Sequence, residues 1–257
     1  MAGPRITGLV RLFQLIWLSI QLHYAALKKV IREEGVTSLA HPQRIRDAAL
    51  AKLLIVTSAG FIAFENTTNV PSLVSQAYGK ILELGPGPGN QIHRYDQSRV
   101  EFIYAVDPNS NYSEEIAAKL QKADLEHKYK LLACGVEDSD ILRREGVTEG
   151  SLDTVTSIQV LCSVGDVKSV MKEVYKLLKP GGSFIFWEHV KNQDSITALT
   201  QTALNPAFSQ FVGCCLNRDI RKDILAAGEW ENPGEIEVAD DPYSYLPRIS
   251  GILKKKA

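Results

Sequence analysis

The chain has 257 residues, of which 45% are hydrophobic and 23% charged, enough apolar matter for a substantial core and too much for a disordered chain. A formal net charge of −1 excludes a global electrostatic pull towards nucleic acid or acidic partners, although the first 52 residues carry eight Lys or Arg against three acids. The four cysteines, Cys134, Cys162, Cys214 and Cys215, form neither a C-x-x-C pair nor a framework spacing, so neither a zinc site nor a disulfide scaffold is expected, and a reducing compartment fits.

The N-terminus lacks the charged region, apolar core and small-residue cleavage site of a secretory leader. Residues 1–78 read as two or three helices, divided by Gly35, by "AHPQ" around Pro42 and by "ENTTNVP" at 65–71. Two apolar runs, Leu12 to Leu27 and Leu53 to Phe64, are free of Lys, Arg, Asp and Glu, but both fall short of the roughly 20 residues a spanning helix needs. In the first, Arg11, Gln14 and Gln21 leave a narrow polar stripe on an apolar helix that contains Trp17 and ends near Lys28 and Lys29. Such a helix is either buried against the domain or a partner, or lies in a membrane interface.

From Lys80 the pattern changes. "KILEL", "FIYAVD", "KYKLLAC", "LDTVTSIQV" and "GSFIFWEHV" read as buried strands, each followed by polar or helical sequence, which predicts a parallel sheet covered by helices on both faces. The clearest helix is Val167 to Leu178, capped by Asp166 and ended by Lys179, Pro180, Gly181 and Gly182. "EIEVA" and "RISGILKKK" supply two further candidate strands. The chain thus divides into a helical segment, 1–78, and an α/β domain, 79–257, with a Rossmann-like, doubly wound sheet.

The stretch "ILELGPGPGN" carries most of the chemistry. A strand that runs into glycines lets backbone approach a ligand closely. It is not a phosphate-binding P-loop, because no Lys followed by Ser or Thr comes after Gly89 in register. It departs from the dinucleotide fingerprint too, with Asn90 where the third glycine would fall. Glu83 would repel a pyrophosphate, whereas a ligand bearing an ammonium and a sulfonium gains from it. The E-x-G-x-G-x-G pattern of Glu83, Gly85, Gly87 and Gly89 therefore suits S-adenosylmethionine. Asp107, closing the second strand eighteen residues after Gly89, can accept both ribose hydroxyls, and Glu137 or Asp138 after the third can accept from an adenine amino group. The plainer roles are a turn for the glycines and helix or turn caps for the acids.

Together, "ILELGPGPG", "AVDPN" and "LKPGGSFIF" resemble the successive motifs of class I S-adenosylmethionine-dependent methyltransferases. "VLCSV", the "LLKPGG…F…EHV" run, "NPAF" and "GCCLNR" are similar to the membrane-associated alkyl-thiol S-methyltransferases, from about residue 80 to the final strand. The resemblance implies a seven-stranded, mostly parallel sheet with an antiparallel last strand, under an N-terminal helical lid or anchor. It implies cofactor contacts at Glu83, Gly85, Gly87 and Gly89, at Asp107 with Pro108 on the ribose, at Val136 and Glu137 by the adenine, and at Gln159 and Val160 along the methionine part. Pro86 and Pro88 stiffen the loop, and Pro88 restricts Gly87 towards extended geometry.

Methyl transfer from a sulfonium needs an aligned, dry pocket and no metal. His189, at a strand end with Glu188 beside it, is the candidate base; the alternative is a histidine satisfied by backbone or a neighbouring helix. Phe184, Phe186 and Trp187 read as core. Cys162, Cys214 and Cys215 read as buried small hydrophobes, since no activating partner is evident. The expected activity is methylation of a small lipophilic acceptor, a thiol by the resemblance, with S-adenosylhomocysteine as co-product. O- or C-methylation of a phenol or quinone-like metabolite is the alternative within enzymes, and a cofactor-binding scaffold or rearrangement catalyst the alternative outside methyl transfer. No nucleic-acid partner is expected, membrane-surface association through the first helix and oligomerisation stay open, and the location is the cytoplasm or the cytoplasmic face of an intracellular membrane.

Overall fold

The apolar runs that begin near Lys80 build one seven-stranded sheet. In chain order the strands are β1 (Gly79–Leu84), β2 (Val100–Val106), β3 (Tyr129–Leu132), β4 (Leu152–Ile158), β5 (Leu178–His189), β6 (Glu237–Val238) and β7 (Arg248–Lys254). The computed structural model describes residues 2–239 and 241–257. The strands lie in the order β3-β2-β1-β4-β5-β7-β6; β1 to β5 are parallel, and β7 runs antiparallel between β5 and β6. Such a sheet is covered on both faces, which is why its strands read as unbroken apolar runs instead of alternating ones. On β5, Phe184 and Phe186 enter one core layer while Ile185 and Trp187 enter the other.

Eight α-helices surround the sheet among the described residues: α1 (Ala2–Glu34), α2 (Pro42–Glu65), α3 (Val70–Val74), α4 (Ser113–Ala123), α5 (Ser139–Arg144), α6 (Val167–Leu177), α7 (Ser195–Phe211) and α8 (Ile220–Leu225). Helix α6 follows its periodicity: Val167, Val170, Met171, Val174 and Leu177 are all buried, and Asp166 caps it by accepting from the Lys168 amide at 3.2 Å. It stops one residue earlier than expected. Leu178 already opens β5, and the Lys179–Gly182 stretch, with Gly181 at φ +75°, forms an irregular strand start where the pairing with β4 shifts register.

Helices α1 and α2 are 33 and 24 residues long and lie between the breakers Gly35, Pro42 and the 65–71 stretch, each extending beyond its charge-free run into flanking charged sequence. By length and composition both are able to cross a membrane, which corrects the expectation that both fall short. Helix α1 also buries less than a core helix would. Leu12, Ile16 and Ser19 pack inward, near Phe208 of α7, and Arg5 pairs with Asp194 at 2.8 Å, yet Ile6, Val10, Phe13, Trp17 and Tyr24 are exposed. Trp17 is 63% exposed.

Helix α2 roofs the strand ends. Its last residue, Glu65, is buried and accepts from Arg94 at 2.5 Å and from Gln91 at 3.1 Å, both beyond the glycine loop, and from Gln159 after β4 at 2.8 Å.

Candidate active site

The glycine loop leaves β1 with a geometry that side chains would obstruct. Gly85 sits at φ +50°, and a Cβ there would lie 2.7 Å from Val160 Cγ1, so both the backbone angle and the contact require glycine. Gly87 also takes φ +50°, not the extended geometry expected ahead of Pro88, and its amide donates to Asp107 Oδ2 at 3.3 Å, joining the loop to the end of β2. The Gly89 amide closes the turn on the Pro86 carbonyl at 2.9 Å.

Two connected cavities open above the strand ends. The inner one, about 160 Å³, is lined by Glu83, Gln159, Cys162, His189 and Arg248 among others. The outer one, about 380 Å³, is lined by Asp107, Pro108, Val136, Glu137 and Val160. Leu84, Gly85, Gly87 and Gln159 line both and join them. The acids at successive strand ends therefore converge on a bent crevice, with Glu83 in its inner arm and Asp107 and Glu137 in its outer arm.

Glu83 is 2% exposed. Its Oε2 accepts from the Tyr129 hydroxyl at 2.9 Å, while Oε1 is buried without a hydrogen-bond partner. Burial pushes its carboxyl up to about 7, against the lowering effect of the tyrosine hydrogen bond. Asp107 is also pushed up by burial, to about 6, although the Asn109 and Gly87 amides donate to it. The turn-capping role and the ligand-facing position thus coexist in Asp107. Glu137 is exposed, and Asp138 does not cap α5 with its side chain; that carboxylate accepts from the Gly135 amide at 2.8 Å.

Gln159 takes φ +62°, a strained angle for a side chain of its size, and is held from two sides: Nε2 donates to Glu65 and Oε1 accepts from Arg248 Nη2 at 2.9 Å. The loop that carries it is fastened by Glu188. This carboxylate accepts from Ser157 Oγ at 2.7 Å and from the Val160 and Leu161 amides at 2.9 and 3.1 Å. Burial pushes it up to about 8. Glu188 thus fastens the loop, and it leaves β5 on the face opposite His189, because successive residues of a strand address opposite faces.

His189 lines the inner cavity, buried, with Nε2 against Cys214 Sγ and Nδ1 without a partner. The sulfurs of Cys162 and Cys214 and the Nε2 of His189 all lie within 4.8 Å of one another. Both cysteines pack in the apolar core, as expected of small buried hydrophobes, and here they also meet a partner: the hydrogen bond from Cys214, with help from His189, holds the Cys162 thiol well below its usual range, while burial pushes Cys214 up. Wide sequence separation concealed the cluster. Cys215 stays apart from it, donating its amide to the Cys162 carbonyl at 2.9 Å. Arg248, the other group that sequence reasoning missed, opens β7 directly opposite His189; its only sequence signal is a basic residue heading an otherwise apolar strand.

Residues 82–186 match a family model described as "Methyltransferase domain". The thiol S-methyltransferase TMT1B of Rattus norvegicus is 32% identical over 184 residues, 68% of this chain and 69% of that protein; the Homo sapiens TMT1B is 33% identical over 184 residues, 70% and 71%. Among solved structures, an O-methyltransferase family protein from Burkholderia thailandensis covers 96% of this chain and 71% of its own at a TM-score of 0.59 and 15% identity. The [4+2]-cyclase SpnF covers 76% and 81% at 0.55 and 13%. These two likenesses concern the fold alone. The sheet order and the acid-and-glycine crevice define a class I S-adenosylmethionine-dependent methyltransferase, and the chain belongs to that class, in the family of the TMT1B thiol S-methyltransferases. S-adenosylmethionine is its methyl donor. The crevice fits this donor: the buried, unpartnered Glu83 Oε1 offers an acceptor to a cation, and the loop at Gly87, where a Cβ would meet only Leu54 Cδ1 at 3.8 Å, leaves the backbone open to the crevice.

Proposed function

We propose that the protein transfers the methyl group of S-adenosylmethionine to the sulfur of a small lipophilic thiol. The observation that carries this reading is the inner cavity itself, where Leu54, Phe61, Phe208 and Leu246 surround the polar group of His189, Cys162 and Arg248, in a chain about one-third identical to thiol S-methyltransferases. A largely apolar, roofed pocket suits an in-line displacement whose charges are annihilated in the transition state.

In this reading Glu83 receives the ammonium of the donor, and Gly85, Gly87 and Gly89 let the methionine arm lie against backbone. Asp107, with Pro108 beside it, holds the ribose hydroxyls; Val136 and Glu137 flank the adenine; Gln159 and Val160 border the methionine part. His189 stands at the acceptor end as proton acceptor. A thiol is already partly ionised at neutral pH and needs little help from a base, whereas an alcohol needs a strong one. Incubation with S-adenosylmethionine and a panel of alkyl and aryl thiols should give S-methyl products, and His189→Ala should keep much of the rate. Loss of nearly all activity in that variant, with product formed only from phenols, would replace this reading by O-methylation.

Residues 1–78 serve as roof and anchor for a catalytic unit formed by 79–257. The exposed apolar side chains of α1 and the basic residues near it support attachment to the cytoplasmic face of an intracellular membrane. No nucleic-acid partner belongs to this reading, and self-association is compatible with it.

A further inference from the structure

Arg248 is a buried cation without a matching carboxylate. It is 8% exposed; Nη1 donates to the Leu246 carbonyl at 2.6 Å, Nη2 to Gln159 Oε1 at 2.9 Å, and the guanidinium lies 4.7 Å from the centre of the Trp187 ring. Its Nε is buried without a partner, and among the described residues no ion pair reaches it. A guanidinium stays charged in proteins, and enclosing that charge without a directly paired carboxylate costs several kcal/mol, offset only at longer range by Cys162, Cys214, Glu188 and Glu65.

Its position gives the charge a use. Arg248 lines the inner cavity together with His189 and Cys162, and also lines an outer vestibule of about 880 Å³ bounded by α1, α2 and residues 241–246. Phe61 and Leu246 are the other residues that line both, so an acceptor moving from vestibule to inner cavity passes this guanidinium. The Cys162, His189 and Cys214 donors nearby would suit a soft metal by type. The fixed guanidinium lines the same cavity, however, and disfavours a second positive charge there.

We propose that Arg248 is the thiolate-binding group of the acceptor site. The assignment rests on the thiol reading above. The acceptor loses its S–H proton to solvent or to His189, and the guanidinium holds the resulting thiolate. A sulfur lone pair then forms the new carbon–sulfur bond as the methyl–sulfonium bond breaks, its electron pair returning to the donor sulfur. The products are thioether, S-adenosylhomocysteine and one proton. A guanidinium beside an acid lowers its pKa by about 1–3 units, enough to turn a thiol ionised to a few per cent at neutral pH into one that is largely ionised.

The test is the pH dependence of kcat at saturating thiol, for thiols of graded acidity, in the full-length wild type and in Arg248→Gln and Arg248→Lys, with calorimetric binding of S-adenosylmethionine to report folding. The wild-type acid limb should lie below the pKa of the free thiol. In Arg248→Gln it should move up to that pKa, with alkyl thiols losing about 8–25-fold at neutral pH, the change in ionised fraction for a shift of about 1–2 units in a thiol of pKa about 8.5. Aryl thiols that are already ionised should lose far less, and Arg248→Lys should recover part of the alkyl-thiol rate. A wild-type limb at the free thiol's own pKa overturns the assignment even if no variant folds, and so does an equal loss for alkyl and aryl thiols. Donor binding without S-methyl product from any thiol removes the thiol reading itself and this assignment with it; product with an unshifted limb removes the assignment alone.

Discussion

Glu65 and Arg94 form an ion pair at 2.5 Å with side chains only 2% and 3% exposed, and this pair fastens the roof helix α2 to the segment beyond the glycine loop. Removing one partner would leave the other charge enclosed. Glu65→Ala should therefore lower stability by about 3–5 kcal/mol, read as a lower midpoint in urea unfolding. It should also weaken donor binding, since Gln159 loses an acceptor.

The raised pKa of Glu83 makes donor affinity depend on pH. A cationic ligand binds the ionised carboxylate, so affinity should rise with pH through the free-protein value of about 7 and flatten above it. Calorimetric titrations between about pH 6 and pH 8.5 would bracket that value. Glu83→Gln should abolish the slope and weaken binding at the upper end by about 1.5–3 kcal/mol, the range of a hydrogen bond to a charged group. A slope that survives in the variant would assign the dependence to another group, with Asp107, near 6, the next to test.

Gly85→Ala meets two penalties, a left-handed backbone angle and a contact of 2.7 Å with Val160. The angle alone costs about 1–2 kcal/mol for a residue with a Cβ. Adding Val160→Ala should relieve the contact but not the angle, so the double variant should recover part of the lost thermal stability and not all of it. Full recovery would mean that the backbone angle contributes nothing.

Glu188 fixes the loop after β4 through two amides and a hydroxyl. Glu188→Ala should cost about 1–3 kcal/mol for each amide it strands. Glu188→Gln, which keeps one acceptor oxygen, should fall between that variant and wild type in thermal melts.

The exposed side chains of α1 make a separable surface. Phe13→Glu and Trp17→Glu change residues that are 53% and 63% exposed, so melting temperature should hardly move. Flotation with anionic lipid vesicles should fall sharply if α1 is the membrane contact. Equal flotation of variant and wild type would dissociate α1 from attachment.

The sheet was legible in the sequence because the central parallel strands are largely buried on both faces and most of them stand out as apolar runs, and the donor crevice because Glu83, the glycines and Asp107 belong to one short segment. What escaped depends on contacts between distant segments. His189, Cys162 and Cys214 meet only through the fold, and Arg248 reaches His189 only because β7 inserts beside β5. The part played by Glu188 was not legible either, because the amides of Val160 and Leu161 that it holds lie almost thirty residues away in the chain. The limits of α1 and α2 were legible too, because Gly35, Pro42 and the polar 65–71 stretch break the helical pattern where the helices end or begin.

The insertion of β7 between β5 and β6 has a consequence for biosynthesis. The strand that completes the sheet is the last of the seven to be synthesised, so until residues 248–254 emerge β5 presents an open edge of unpaired amides and carbonyls. A nascent chain that has made every cofactor-facing loop still lacks this zipper, and its handling by chaperones, more than its catalytic parts, should govern how much active enzyme a cell accumulates.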